Sequence, residues 1–343
     1  DAGPATFYNM LAPNATRQGV GIDPDTGYLG ALFPYLATNL DYSTDSSRLK
    51  DLVVDSGEAP LPNSLTESVV IDVNGEQVGV IGAVVPYLPQ IANIGGITML
   101  TDPTSRDIEV NAQNLANNIQ PFVDELISQG INKIVLMTHL QQFEMEQALA
   151  TKLTGVDIIM GGGSHRVMAN DNDILREDET QVPPELLQPY PQVFQDADGN
   201  DVYLINTGAN YRYLGQLIIE FDPEGQIIEI GDDSGTFATD IEGVDRLYDA
   251  DVTTFDQVKA LANPDLVAVV DNVGNFINSK DGNIFGNTEV WLNGFRSSVR
   301  TEETNLGNLT ADANLWYAEQ YGFEIDISVK NGGGIRDQIG VSF

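Results

Sequence analysis

No cysteine occurs among the 343 residues, which excludes a disulfide framework and any thiolate metal site. That absence suits a cytosolic protein and a Gram-negative exported one equally well. Histidine is almost as scarce, with only His139 and His165. Cationic side chains are few: 16 Lys and Arg stand against 51 Asp and Glu, a formal charge of -35. A surface this negative repels phosphate backbones and anionic headgroups, which argues against nucleic-acid or membrane binding by general electrostatics. An anionic ligand must therefore be captured by a local exception to the overall field. No stretch approaches the roughly 18 consecutive apolar residues of a membrane span. The chain opens on Asp1 rather than Met, which suggests processing upstream. What remains is globular, at 42% apolar residues, and long enough for two domains.

Along the chain, the first 30 residues read as loop, and "ALFPYLATNLDYS" as a short buried strand leading into an acidic loop. In "ESVVIDVNGEQVGVIGAV", residues 67–84, two strand-like runs flank Asn74-Gly75, the pair that supplies the positive φ angles of a two-residue hairpin. Between Ser105 and Gly130, Ile108, Leu115, Ile119, Val123 and Leu126 recur at helical spacing, with Pro121 expected to kink or break the helix. Then "KIVLMTH" (strand), "FEMEQALATKL" (helix) and "VDIIMGG" (strand) make a unit that normally joins two parallel strands by a right-handed crossover. Residues 166–200 read as a long surface excursion, followed by strands at 202–207, 214–221 and 226–230. The segment 253–277 is helical with an interruption at Pro264, "NLGNLTADANLWYAEQ" is a further helix, and "EIDISVK" reads as a strand before the glycine turn "NGGGIR".

Ligand sites in parallel sheets gather at the carboxyl ends of strands. His139 ends the first strand of the unit, and His165 follows "GGGS" at the end of the second. A lone histidine is commonly a satisfied polar core residue. Two of them on one edge point instead to metal ligation, although two ligands do not complete a site. In "NGGGIRDQ", three glycines could present backbone N–H groups to an anion, with Arg336 as a fork for phosphate oxygens. Arg296 and Arg300 lie shortly upstream, so three of the ten arginines fall close together. The competing reading is surface ion pairing. "DADGND", residues 196–201, lacks the spacing of a calcium loop and reads as a turn, and the sequons at Asn14 and Asn308 matter only in a eukaryotic secretory host.

Several of these segments, in order, resemble the bifunctional metallophosphatase and 5'-nucleotidase family. "VLMTHLQQFEMEQALATKLTGVDIIMGGGSH" is similar to the family's Ser-His strand end and its Gly-Gly-His-x-His loop. "RSSVRTEETNLGNLTADA" and "VKNGGGIRDQI" are similar to two signature segments of its carboxyl-terminal domain, and "GYLGALFPYLATNLDYS" to the segment that follows its Gly-Asn-His-Glu motif. The resemblance implies an α/β (α+β) fold with three parts: a partial four-layer αββα metallophosphoesterase sandwich over residues 1–250, a helical linker over 251–280, and the start of an α/β specificity domain over 281–343. It implies hydrolysis of phosphate monoesters, most notably 5'-nucleotides, by two divalent metal ions (Zn, Mn, Mg or Ca), in a periplasmic or extracellular setting. Of the residues, it implies that His139 and His165 are catalytic metal ligands. Arg296, Arg300, Asn331, Gly332, Gly333, Gly334 and Arg336 would hold the substrate phosphate. Gly163 stands where the family has the first histidine of its loop motif, and the family's earlier metal motifs are not found. The chain is therefore expected to be a middle portion of a larger protein, weakly active or inactive alone. The alternatives are a phosphodiesterase or general alkaline phosphatase of the same fold, and a degenerate, non-catalytic protein that binds phosphate esters or serves as an extracellular structural protein.

Overall fold

In the computed structural model, residues 3–12, 29–176, 187–281 and 286–340 are described; the sequon at Asn14 lies outside them. The chain divides into two compact units, Asp1–Ala260 and Leu261–Phe343.

The first unit is built on a six-stranded mixed sheet. Its strands are β1 (Ser68–Val73), β2 (Glu76–Val84), β3 (Ile134–His139), β4 (Ile158–Met160), β5 (Gln192–Gln195) and β6 (Asp201–Ile205), in the spatial order β1-β2-β3-β4-β6-β5. β1 and β2 form the expected hairpin, with Asn74 and Gly75 at φ 57 and 93 as a two-residue turn requires. β2, β3, β4 and β6 are mutually parallel, and only the two edge strands run against them. All four central strands therefore end on the same edge of the sheet.

The helices that carry the crossovers are α2 (Ile108–Ser128) and α3 (Phe143–Ala150), which follow α1 (Gly3–Leu11) in the chain. α2 is started by the Asp107 side chain, which accepts the Val110 N–H. It then runs unbroken through Pro121, contrary to the expected kink or break. Leu115, Ile119, Val123 and Leu126 are fully buried on both sides of that proline, at roughly 1.5–3 kcal/mol each. The proline itself is exposed, so the packed stripe outweighs one missing backbone hydrogen bond. β3, α3 and β4 form the expected crossover unit.

Other expectations are corrected. The opening segment is helical at α1 because Tyr8 and Leu11 bury one face against Leu49, Leu52 and Leu65, a spacing hidden by the surrounding loop-forming residues. The run 214–221 is two strands, since Tyr213–Gln216 pairs with Gly235–Ala238 while Ile219–Phe221 pairs with Ile227–Ile230. The excursion after residue 165 is only partly at the surface: Val167, Met168, Ala169 and Tyr190 are buried, and residues 177–186 lie outside the described ones. "DADGND", by contrast, is a turn as expected, closed by the Asp196 carboxylate accepting the N–H groups of Asp198 at 2.9 Å and Asn200 at 2.8 Å.

Helices α4 (Ile241–Tyr248) and α5 (Phe255–Leu261) follow the sheet, and α6 (Pro264–Asp281) begins on the expected proline. The second unit continues with α7 (Arg296–Thr301) and α8 (Asn305–Gln320). The Thr304 side chain caps α8 by accepting the Gly307 N–H. "EIDISVK" is not a strand. A strand needs a neighbour, and the only strand-like pairing among the described residues of this unit is the bridge between Leu292 and Ile339. Ile327 and Val329 are left exposed.

Candidate functional site

The shared carboxyl edge of the parallel strands carries the first candidate site. Val84 of β2 is in register with His139 of β3. Beyond them, residues 161–165 follow β4, and Asn206 follows β6. Asn39, fully buried, fixes this edge from outside the sheet: its amide donates to the Val84 carbonyl at 2.8 Å and its oxygen accepts the Val84 N–H at 3.0 Å. Nothing in the sequence marked Asn39, because its value comes from a contact 45 residues away in the chain.

His139 and His165 are both exposed at this edge, so neither is a buried core histidine. The backbone around them is unusual. Gln141 and His165 sit at φ 68 and 62, the left-handed region that non-glycine residues rarely occupy. Such strained positions cluster at functional sites. Gly163, at φ 82, packs against the imidazole: a Cβ there would lie 2.8 Å from both Cδ2 and Nε2 of His139. The Gly162 carbonyl accepts the Leu140 N–H at 3.1 Å, which ties the glycine loop to the tip of β3. The Asn206 amide donates to the Ser164 hydroxyl at 3.1 Å, and Arg166 pairs with Glu144 at 3.0 Å.

Beneath the loop lies a carboxyl group that reading the sequence missed. Glu146 on α3 is fully buried. Its Oε1 accepts the Thr138 hydroxyl at 3.1 Å and the Gly162 N–H at 3.0 Å. Burial is the main cause that pushes its pKa up to about 8, against the opposing effect of those hydrogen bonds. A glutamate in the first turns of an amphipathic helix reads as solvent-facing, so only the packing reveals it.

The described residues alone do not complete the two-metal centre that the resemblance implies. No group of three or more His, Cys, Asp or Glu side chains able to hold a metal ion occurs among the described residues. Glu144 is engaged by Arg166, Glu146 is buried under the loop, and position 163 offers no side chain. Two exposed imidazoles are half of a tetrahedral set at most.

The second unit holds the cationic candidates. α7 packs against the short helical turn Gly332–Gly334, where a Cβ on Gly332 would come within 2.0 Å of the Val299 carbonyl oxygen. Arg300 lies beside that turn, its Nη2 3.4 Å from where a Cβ of Gly333 would be. Arg300 and Arg336 are exposed and make no ion pair among the described residues. The Arg296 side chain lies outside the described residues. The turn uses its own donors: Gly333 N–H reaches Asn331 Oδ1 at 3.0 Å and Gly334 N–H the Asn331 carbonyl at 2.9 Å. At Gly333 and Gly334 the N–H groups are thus engaged within the turn itself, and the Arg300 guanidinium lies beside it.

Fold and edge together define an α/β protein with its candidate chemistry at the carboxyl ends of parallel strands. Comparison with known proteins then narrows the class. The chain is a homologue of curated 5'-nucleotidases over most of its length: 28% identical to that of Diplobatis ommata over 98% of this chain and 51% of that protein. It is 29% identical to that of Mus musculus over 98% and 52%, and 30% identical to that of Homo sapiens over 79% and 41%. Among solved structures, a 5'-nucleotidase precursor from Thermus thermophilus superposes with a TM-score of 0.64 at 28% identity, covering 89% of this chain and 49% of that one. No protein-family model matches the chain. The chain spans about half the length of the curated relatives it matches. Among the described residues, no helix is long and apolar enough to cross a membrane.

Proposed function

We propose that this chain is part of a hydrolase that removes phosphate from 5'-nucleotides. The observation that carries this reading is the similarity to curated 5'-nucleotidases, which runs through 98% of the chain rather than through one motif. The site geometry supports specific roles. Arg300 and Arg336 are cations without an ion pair among the described residues of an acidic chain, and each offers a fork that matches phosphate oxygens. Asn331 and the glycines Gly332, Gly333 and Gly334 form the turn beside Arg300. Arg296 completes the cluster in sequence. His139 and His165 offer imidazoles at the strand edge for metal ligation or proton transfer at the phosphate ester. A two-metal centre requires ligands beyond those the described residues supply. A periplasmic or extracellular location goes with it.

The test is phosphate release by the full-length protein from AMP, a cyclic nucleotide and a generic aryl phosphate, with divalent metal supplied. Fastest turnover of AMP is expected. Preference for the cyclic nucleotide or the aryl phosphate would instead assign a phosphodiesterase or an alkaline phosphatase. A second reading, a non-catalytic binder of phosphate esters, is favoured by one observation: Gly163 packs its backbone onto His139 where the resemblance places a histidine. Binding of AMP without hydrolysis of any of the three would establish that reading.

A further inference from the structure

The geometry points to Glu146 as a positioning residue: from α3 it clamps the 161–163 loop onto the tip of β3 and so fixes where the His139 ring sits. Glu146 has no exposed surface, and burying a carboxyl group is costly unless it is held by specific hydrogen bonds. It has two such bonds, on opposite sides of one junction. The Thr138 hydroxyl belongs to β3, one residue before His139, and the Gly162 N–H belongs to the loop after β4. One oxygen therefore joins two segments that are 24 residues apart in the numbering of the chain. The other oxygen, Oε2, has no hydrogen-bond partner among the described residues. It faces Gly161 so closely that a Cβ there would lie 2.8 Å away. The glycine loop is thus shaped around the carboxyl group.

The clamp reaches the imidazole through consecutive contacts. Gly162, held by Glu146, accepts the Leu140 N–H, and a Cβ on it would meet the Thr138 carbonyl at 2.8 Å. The next residue, Gly163, is the one packed on the His139 ring. The far end of the loop is tied to the same helix by the Glu144–Arg166 pair. α3 therefore holds both ends of the segment that borders His139. A role for this clamp in turnover rests on the hydrolase reading above; the clamp itself does not.

The test compares Glu146→Ala, Glu146→Gln and Thr138→Val by amide hydrogen exchange at Gly162 and by NMR of the His139 ring. Loss of the clamp in Glu146→Ala is expected to speed Gly162 exchange by about tenfold, the scale of one buried hydrogen bond, and to move the His139 resonances. Glu146→Gln keeps an acceptor oxygen in place and is expected to stay within about twofold of the parent. A folded Glu146→Ala protein with unchanged Gly162 exchange and unmoved His139 resonances would overturn the proposal. If Glu146→Ala does not fold, Thr138→Val reports the same coupling. Faster exchange at Gly162 in Thr138→Val supports the clamp, because the two residues are joined through Glu146, and unchanged exchange there overturns it. Because neither readout needs turnover, a protein that hydrolyses nothing but shows these shifts would sink the hydrolase reading and leave the clamp standing. In an active protein, Glu146→Ala should lower kcat with little change in KM for AMP, and Glu146→Gln should restore it.

Discussion

Gly163 and the His139 ring are in direct contact, with room for nothing larger than a hydrogen between them. Gly163 also occupies φ 82, a conformation that side chains other than glycine rarely adopt. Gly163→His therefore faces both backbone strain and a ring in its path. It is expected to lower stability by about 1–3 kcal/mol, measured by urea denaturation. Unchanged stability would mean that the loop yields and that the contact is not a constraint.

In the second unit the turn Gly332–Gly334 satisfies most of its own N–H groups, so under the proposed function the attraction for a phosphate falls to the guanidinium groups. Arg300→Ala and Arg336→Ala are each expected to weaken AMP binding by about tenfold or more, because each removes a charge-assisted contact. Titration calorimetry or the change in KM measures this. Asn331→Ala should act less directly, by freeing the Gly333 N–H and loosening the turn beside Arg300.

Glu146 also predicts how stability depends on pH. Its pKa is raised from the ordinary 4.5 to about 8 in the folded protein, chiefly by burial. The neutral form is favoured by folding, so its contribution is fully present below pH 4.5 and is lost as pH rises through about 8. Glu146→Gln cannot ionise. Relative to the parent it should gain stability as pH rises across that interval, a trend that denaturation curves at pH 5, 6.5 and 8 would show.

Asp157 should contribute in the same direction. Burial raises its pKa to about 7, even though it accepts the Ile134 N–H and has Lys133 nearby. Asp157→Asn is expected to flatten part of the remaining loss of stability between pH 5 and 8, measured in the Glu146→Gln background so that the two effects separate.

The first helix offers a test of packing alone. Leu11 is fully buried with Tyr8 against Leu49, Leu52 and Leu65. Leu11→Ala should cost about 2–5 kcal/mol, read from chemical denaturation. A loss well under about 1 kcal/mol would mean that α1 is not part of the folded core.

Much of this architecture was legible in the residues because local signals were strong. Asn74-Gly75 announced its hairpin, and the alternation of apolar runs around "FEMEQALATKL" announced a crossover unit with a histidine at a strand tip. Tyr8 and Leu11 were not legible as helix, since the neighbouring Pro, Asn and Gly suggest loop and the burying partners lie far along the chain. "EIDISVK" read as a strand because alternation implies a half-buried face, yet pairing depends on a neighbour that alternation cannot supply. Asn39 and Glu146 were invisible for the same reason: their importance is set by long-range hydrogen bonds, not by any local pattern.

The most direct measurement is phosphate release from AMP by the full-length protein, compared with Arg300→Ala and Arg336→Ala under the same divalent metal. AMP is expected to be the preferred substrate, and both variants to lose about tenfold or more in kcat/KM. Turnover of AMP unaffected by either substitution, or a preference for cyclic nucleotides over AMP, would contradict it.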